Sequence, residues 1–118
     1  MPFVSIVRDK ATIGDHAVRS LIDALREEVA RSLTAHDPRH TVTAPMIDVQ
    51  VIDVGPLDRI RAPVFITVLA RHESARSSER NDIVDELRSW LDHQLAFPSV
   101  VELVLTHHTS SFDYSELE

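Results

Sequence analysis

The chain has 118 residues, of which 43% are hydrophobic and 26% are charged, and its formal net charge is −7 at pH 7. This length supports one modest core, so residues 1–118 are expected to form a single domain. An acidic chain lacks the basic patch that nucleic-acid binding needs, and no apolar run approaches the ~18 residues of a membrane span. The sequence contains no cysteine, which excludes disulfides and thiol catalysis. Because no signal-peptide pattern opens the chain, we expect a cytoplasmic protein.

The first half of the chain predicts a strand, a helix and a second strand. Phe3–Val7 is a short apolar run with β-branched residues, as is typical of a strand. Residues 15–33 place apolar side chains at the i, i+3, i+4 spacing of one helical face. That face comprises Val18, Leu21, Ile22, Leu25, Val29 and Leu33. A loop with Pro38 and Pro45 as breakers follows, and residues 46–54 then alternate apolar and polar side chains as a half-buried strand does.

The second half repeats this plan. Its predicted elements are a strand, a helix and a strand, at residues 63–71, 76–95 and 100–108. Both halves open on a proline, Pro2 and Pro63, and the two helices share the related motifs IDALR and VDELR. The halves, residues 2–55 and 63–108, therefore read as a pseudo-repeat of two β-α-β units.

This pseudo-repeat predicts an α/β fold of the α+β type. A right-handed crossover in each unit makes a parallel strand pair with a helix on one face. Two such units give a four-stranded mixed sheet with both helices on the same side. The opposite face of the sheet is then uncovered, and a domain this small is expected to bury that face by associating with further copies of itself.

The Met-Pro start and the paired β-α-β units resemble the tautomerase superfamily, whose members use an amino-terminal proline as the catalytic group. Three local matches are closest to the branch that includes malonate semialdehyde decarboxylase. They are the MPFV start, the loop HDPRHTV at residues 36–42 and the segment VFITVLARHESARSSE at residues 64–79. The resemblance implies a homotrimer with pockets near subunit boundaries. It also assigns Pro2 as the proline, Asp37 as the loop acid, and Arg71 and Arg76 as an arginine pair.

These residue types suit proton transfer on a small carboxylic acid. If Met1 is removed, Pro2 becomes a secondary amine, and an α-amino group titrates near ~7.7–8.0 before nearby cations lower its pKa. Such an amine serves as a general acid or base at neutral pH. Arg71 and Arg76 would clamp the substrate carboxylate through parallel hydrogen bonds. Asp37 would position water or a carbonyl, or tune the amine.

Each of these residues also has a purely structural interpretation. Proline at position two starts a strand acceptably because its missing N–H costs nothing there. Arg71 and Arg76 lie in a charged segment, where they would serve a solvated surface. Asp37 precedes Pro38 and would then be only a turn residue.

The chain departs from the family pattern at two places. Many members carry Gly-Arg after the first strand, whereas this chain has Lys10-Ala11-Thr12, which leaves Arg8 or Lys10 to substitute for the arginine. Near the carboxyl end, Trp-Ser-Phe-Gly of the decarboxylase-like branch is replaced by SSFD, in which Phe112 would line the pocket.

Adjacent histidines on the last strand point to opposite faces and the others show no ligand spacing, so we expect no metal and no cofactor.

The sequence therefore favours a proline-dependent tautomerase or isomerase acting on a small 2-oxo or enol carboxylic acid. Decarboxylation or hydration of a three-carbon oxo acid belongs to the same expectation. The alternative is a non-catalytic trimer of the same fold, serving as a structural or ligand-binding module. In that case Met1 is retained and the Pro2 nitrogen is an ordinary amide.

Overall fold

A computed structural model describes residues 2–107, and the predicted pocket residue Phe112 lies outside this range. The elements in chain order are β1 (Phe3–Arg8), α1 (Asp15–His36), β2 (Asp48–Asp53), β3 (Val64–Arg71), α2 (Ser74–Ser78), α3 (Arg80–Gln94) and β4 (Ser99–Thr106). A single 3₁₀ turn at Ala44–Met46 leads into β2. The predicted order of two strand-helix-strand units is confirmed.

The strands form one four-stranded mixed sheet in the order β2-β1-β3-β4. Within each unit the two strands are parallel, β1 with β2 and β3 with β4, as the crossover argument requires. The two units meet through an antiparallel pairing of β1 with β3, in which Ile6 lies opposite Ile66. The predicted fold class is therefore confirmed.

The hydrophobic core lies between one face of the sheet and the two long helices, which pack against each other. Burial alternates along β1 and β3, as expected for strands with one covered face. The sheet contributes Val4, Ile6, Val64, Ile66, Val68 and Ala70 to this core. The helices contribute Val18, Leu21, Leu25, Val29, Leu33, Ile83, Leu87 and Leu91.

Within residues 2–107, no helix covers the opposite face of the sheet, which is built of rows of side chains that run across the strands. The first apolar row consists of Phe3, Leu69 and Val104, and Asp48 of β2 lies at its end. A second apolar row is Ile52, Val7, Phe65 and Val100. A polar row between them holds Gln50, Ser5, Thr67 and Glu102. We call these three rows together the open face.

Several boundaries differ from the sequence-based prediction by a few residues, and two of these differences have a local cause. The second helix is not continuous, because Glu79 has φ −110° and ψ 17°, outside the helical region, and divides it into α2 and α3. The Glu79 N–H donates to the Ala75 carbonyl to close α2, while the Glu79 carbonyl accepts from Ile83 in the first turn of α3. Strand β2 begins at Asp48 rather than at residue 46, since Pro45 favours the 3₁₀ turn that precedes it.

Arg8 fastens the far end of β1 to its neighbours. Its Nε donates to Asp53 Oδ1 at 2.6 Å, and its Nη2 donates to Asp15 Oδ1 at 2.6 Å. Its Nη1 also donates to the Ile13 carbonyl at 3.3 Å. The hydrogen bonds that Arg8 donates, first to Asp53 and then to Asp15, raise the pKa of Arg8, and the same guanidinium lowers the pKa of Asp15. Arg8 thus holds the start of α1 and the end of β2 against the sheet.

Candidate active site

Pro2 lies buried at the edge of the sheet where β1 begins. Its carbonyl accepts a hydrogen bond from the Asp48 N–H at 3.4 Å, which extends the β1–β2 ladder by one step. In the antiparallel pairing Phe3 is opposite Leu69, so Pro2 continues the register beside the carboxyl end of β3. The segments that follow β3 therefore begin at the same edge as the amino-terminal proline.

Asp37 and Arg76 form a buried ion pair at the junction of α1 and α2. Asp37 caps α1, its N–H donating to the Leu33 carbonyl, and its side chain is only 3% exposed. Arg76 Nε is 3.4 Å from Asp37 Oδ2, and the Arg76 side chain is 5% exposed. Arg76 Nη1 donates to the carbonyl of Arg71 at 3.0 Å. The fold thus brings two of the predicted site residues together, although they are 39 positions apart in the sequence.

Arg71 occupies a different environment from Arg76. It is the last residue of β3, where it pairs with Thr106 of β4, and its side chain points to the same side of the sheet as the open face. Its side chain is 72% exposed, and its Nε is 3.6 Å from Glu73 Oε1. Arg76 therefore contacts the backbone of Arg71, but the Arg76 side chain is buried whereas the Arg71 side chain is exposed.

A cleft of about 300 Å³ opens over the Asp37 side chain. Its walls come from the loop after α1 and from the start of α2, and they comprise Asp37, Arg39, His40, Glu73, Ser74 and Ala75. Charged and polar side chains of both signs dominate this lining. The cleft is of a size and polarity to accept a small acid.

His40 is the residue of this cleft that the sequence analysis overlooked. Its Nδ1 lies 2.9 Å from Asp37 Oδ2, and its Nε2 lies 3.7 Å from Glu73 Oε2. The sequence does contain a signal, because a histidine three residues after an Asp-Pro pair can fold back onto the aspartate through the turn. Metal-ligand spacing, the pattern applied to the histidines above, does not include a histidine that folds back onto an aspartate three residues earlier.

A second ionic cluster adjoins the site through His36, the residue before Asp37. His36 Nε2 is 2.9 Å from Glu86 Oε2, and Nδ1 is 3.2 Å from Glu79 Oε2. Burial disfavours the charged imidazole and is the largest single contribution, but Glu86 and Glu79 together outweigh it and raise the pKa of His36. Burial likewise opposes the ionised form of Glu86, yet hydrogen bonds from Ser32 and His36 leave its pKa lowered.

The candidates for the missing first-repeat arginine lie at the other end of the sheet. Within one protomer Arg8 ends β1 whereas Pro2 precedes it, and the Arg8 guanidinium is already paired with two carboxylates. Lys10 is exposed in the turn that follows β1. Neither residue reaches the Asp37 cleft of its own chain.

Between residues 2 and 107, no group of three or more histidine, aspartate or glutamate side chains is arranged to hold a metal ion. None of the helices described there has both the length and the apolar character to cross a bilayer.

The strand order and helices described above form the tautomerase fold, as the resemblance in the sequence implied. Malonate semialdehyde decarboxylase is similar to this chain with a TM-score of 0.64 at 16% identity, over 88% of this chain and 84% of that one. A protein called N1, a member of the cis-3-chloroacrylic acid dehalogenase family, gives a TM-score of 0.65 at 12% identity, over 88% and 74%.

A macrophage migration inhibitory factor-like protein from Entamoeba histolytica gives a TM-score of 0.55 at 14% identity, over 89% of this chain and 88% of that one. No family model matches the sequence, and no curated protein does. At these identities the likeness establishes the fold. The proposed placement beside malonate semialdehyde decarboxylase receives only weak support, because several kinds of tautomerase-fold protein match equally well.

Proposed function

We propose that this chain is a proline-dependent tautomerase or isomerase acting on a small 2-oxo or enol carboxylic acid. Decarboxylation or hydration of a three-carbon oxo acid falls within the same proposal. The observation that carries it is that Pro2 lies buried at the end of the sheet where β2 begins after the Asp37 loop and where β3 ends before the Arg76 segment. A proline nitrogen, a carboxylate and a guanidinium are the groups that proton transfer on a carboxylic acid needs.

The proposed roles follow from the surroundings of each residue. Pro2, freed of Met1, is the general acid or base. Asp37 orients water or a carbonyl from the floor of the cleft. Arg71 and Arg76 bind the substrate carboxylate, with the exposed Arg71 guanidinium free to reorient toward a ligand.

The likeness to solved structures supports the substrate class. One similar protein is named malonate semialdehyde decarboxylase and is described as having decarboxylase and hydratase activities, and another belongs to a family named for dehalogenation of cis-3-chloroacrylic acid. Both names denote three-carbon acids, so a fold of this kind accommodates a small carboxylate. The crystal structures of the decarboxylase include a mutant in which alanine replaces a proline at its first position.

The second candidate is a non-catalytic module of the same fold. It is favoured by one observation: the Arg76 guanidinium already pairs with Asp37 and with a backbone carbonyl, so no preformed two-arginine clamp faces the cleft. Intact-mass spectrometry of the native protein separates the two candidates. A mass without methionine supports the enzyme, whereas retained Met1 supports the module.

A substrate panel of phenylpyruvate, 2-hydroxymuconate and malonate semialdehyde provides the direct test. Pro2→Ala keeps a free amine but makes it primary and more mobile, so activity should fall and partly persist, with a shifted pH–rate profile. Acylation of the terminus should abolish turnover while leaving the melting temperature nearly unchanged. Undiminished turnover by a blocked protein would show that Pro2 serves only to start the strand.

The proposed carboxylate clamp is tested separately. Arg71→Ala and Arg76→Ala should each raise KM for a confirmed oxo acid. If each variant loses a hydrogen bond to a charged group, the loss of binding free energy is about 1.5–3 kcal/mol. Arg59→Ala is a matched control, because Arg59 is exposed in the β2–β3 loop and donates only to nearby carbonyls. If both site variants keep wild-type kinetics, the clamp lies elsewhere, and Arg8 and Lys10 become the next residues to replace.

A further inference from the structure

One hydrogen bond, from His40, and one ion-pair contact, with Arg76, converge on a single oxygen of the Asp37 carboxylate. His40 Nδ1 is 2.9 Å and Arg76 Nε is 3.4 Å from Oδ2. Among the residues that the structure describes, no hydrogen bond is made to the second oxygen, Oδ1, although Asp37 lines the cleft. The carboxylate therefore has one oxygen held by the protein and one left for a ligand.

We infer that His40 is a positioning residue, which holds Asp37 Oδ2 so that Oδ1 is presented to a small acid bound in the cleft. This inference rests on the proposed function, since it gives Asp37 a partner for its part in proton transfer. His40 itself need not touch the substrate. Its action is on the orientation of the carboxylate.

The local backbone explains why His40 can take this role. Asp37 ends α1, Pro38 turns the chain, and the His40 N–H donates to the Asp37 carbonyl at 3.1 Å. This turn returns the imidazole to the aspartate three residues earlier. The ring stays 48% exposed at the mouth of the cleft, while the carboxylate that it contacts is almost fully buried.

The chemistry of the contact fixes which nitrogen carries the proton. An ionised carboxylate only accepts hydrogen bonds, so Nδ1 must be the donor to Asp37. Nε2 is then the nitrogen directed toward Glu73, at a distance of 3.7 Å that is too long for a direct hydrogen bond. The other charged groups around the ring are Arg39, which lines the same cleft, and Arg76.

Kinetics of three variants test the inference on a confirmed substrate. His40→Ala removes both nitrogens and should lower kcat by about tenfold to hundredfold with little change in KM. In His40→Asn the amide nitrogen replaces Nδ1, so activity should stay within about threefold of wild type if one charge-assisted hydrogen bond is what matters. In His40→Gln the amide lies near the Nε2 position instead, and the loss should match that of alanine.

His93→Asn is the control, because His93 is an exposed histidine whose Nδ1 contacts only the Ser89 carbonyl of its own helix. Thermal melts should show that all four variants fold. Wild-type kcat in His40→Ala would overturn the inference. A folded His40→Asn as inactive as His40→Ala would also overturn it, since a proton carrier rather than a positioning donor would then be required.

A measurement that needs no substrate separates this inference from the proposed function. Nitrogen-15 shifts of the neutral His40 ring should show the proton on Nδ1 in the wild-type chain and its transfer to Nε2 in Asp37→Asn. A proton on Nε2 in the wild-type chain would overturn the inference even if the enzyme is active. If no acid is turned over but the Nδ1 proton is found, the proposed function fails and the positioning of Asp37 by His40 stands.

Discussion

Asp37 and Arg76 show how the tertiary fold changes the meaning of single residues. In the sequence Asp37 precedes a proline and Arg76 lies in a charged segment, so both are expected at the surface. In the structure both side chains are at most 5% exposed and contact each other. Arg71, five positions before Arg76, remains in solvent. Neighbouring residues of the same type thus provide a natural comparison of a buried and an exposed charge.

Replacing Arg76 by methionine should destabilise the protein strongly. Removal of Arg76 leaves the buried Asp37 carboxylate with His40 as its remaining side-chain partner, and loss of a buried ion-pair partner costs about 3–5 kcal/mol in the free energy of unfolding. Arg71→Met is the matched control and should change that free energy by about 0.5 kcal/mol or less. Urea unfolding at one fixed protein concentration measures both. Equal effects of the two variants would argue that the Asp37–Arg76 pair adds nothing to stability.

At the scale of elements, the contact between α1 and α3 is completed by a polar cluster beyond the apolar core. His36 at the end of α1 contacts Glu79, which caps α3, and Glu86 within α3. Ser32 donates to the same Glu86 carboxylate at 2.8 Å, and Arg31 lies 3.9 Å from it. The break between α2 and α3 places Glu79 where it reaches the imidazole.

This cluster predicts a pH-dependent contribution to stability. The pKa of His36 is raised above its ordinary value of 6.5, so the contribution is fully present below pH 6.5 and is lost as the pH rises through the folded-state pKa. His36→Gln should therefore destabilise the protein more at pH 5.5 than at pH 8.5 in chemical denaturation. His93→Gln, which alters an exposed histidine on α3, should have little effect at either pH. A penalty for His36→Gln that grows with pH would contradict this account.

At the scale of the whole molecule, the open face is the apolar surface that residues 2–107 of a single chain leave uncovered. Its two apolar rows include Phe3, Leu69, Val7 and Phe65, all only partly buried. Two further members, Ile52 and Val104, are 42% and 38% exposed. Apolar rows of this kind on a small domain favour burial against other copies of the chain.

We therefore predict that the chain assembles as a homotrimer through the open face. Sedimentation equilibrium should give about three chains per particle, as the family resemblance implies. Leu69→Glu introduces a charge into an apolar row and should shift the protein toward monomer. Ser89→Glu, at an exposed position of α3, should leave the assembly unchanged. A wild-type monomer at micromolar concentration would refute the prediction.

The sequence by itself determined the architecture, because that information is local and periodic. Helical spacing from Val18 to Leu33, strand alternation near Val49 and the pseudo-repeat were enough to predict two β-α-β units in one mixed sheet. The Met-Pro start indicated Pro2 as a candidate catalytic residue. The end of α1 was placed three residues early, since His36 is held in the helix by neighbours that the local pattern does not include.

The tertiary structure decided which charged groups meet. Asp37 contacts Arg76 only because the antiparallel joining of β1 and β3 brings the end of α1 to the start of α2. The turn at Pro38 determines that His40 shares the Asp37 oxygen, and strand register determines that Arg71 faces away from the core. Pairings of this kind depend on long-range distances and on burial, which spacing along the chain does not encode. A sequence pattern therefore identified the residue types of the site, and their partners followed from the fold.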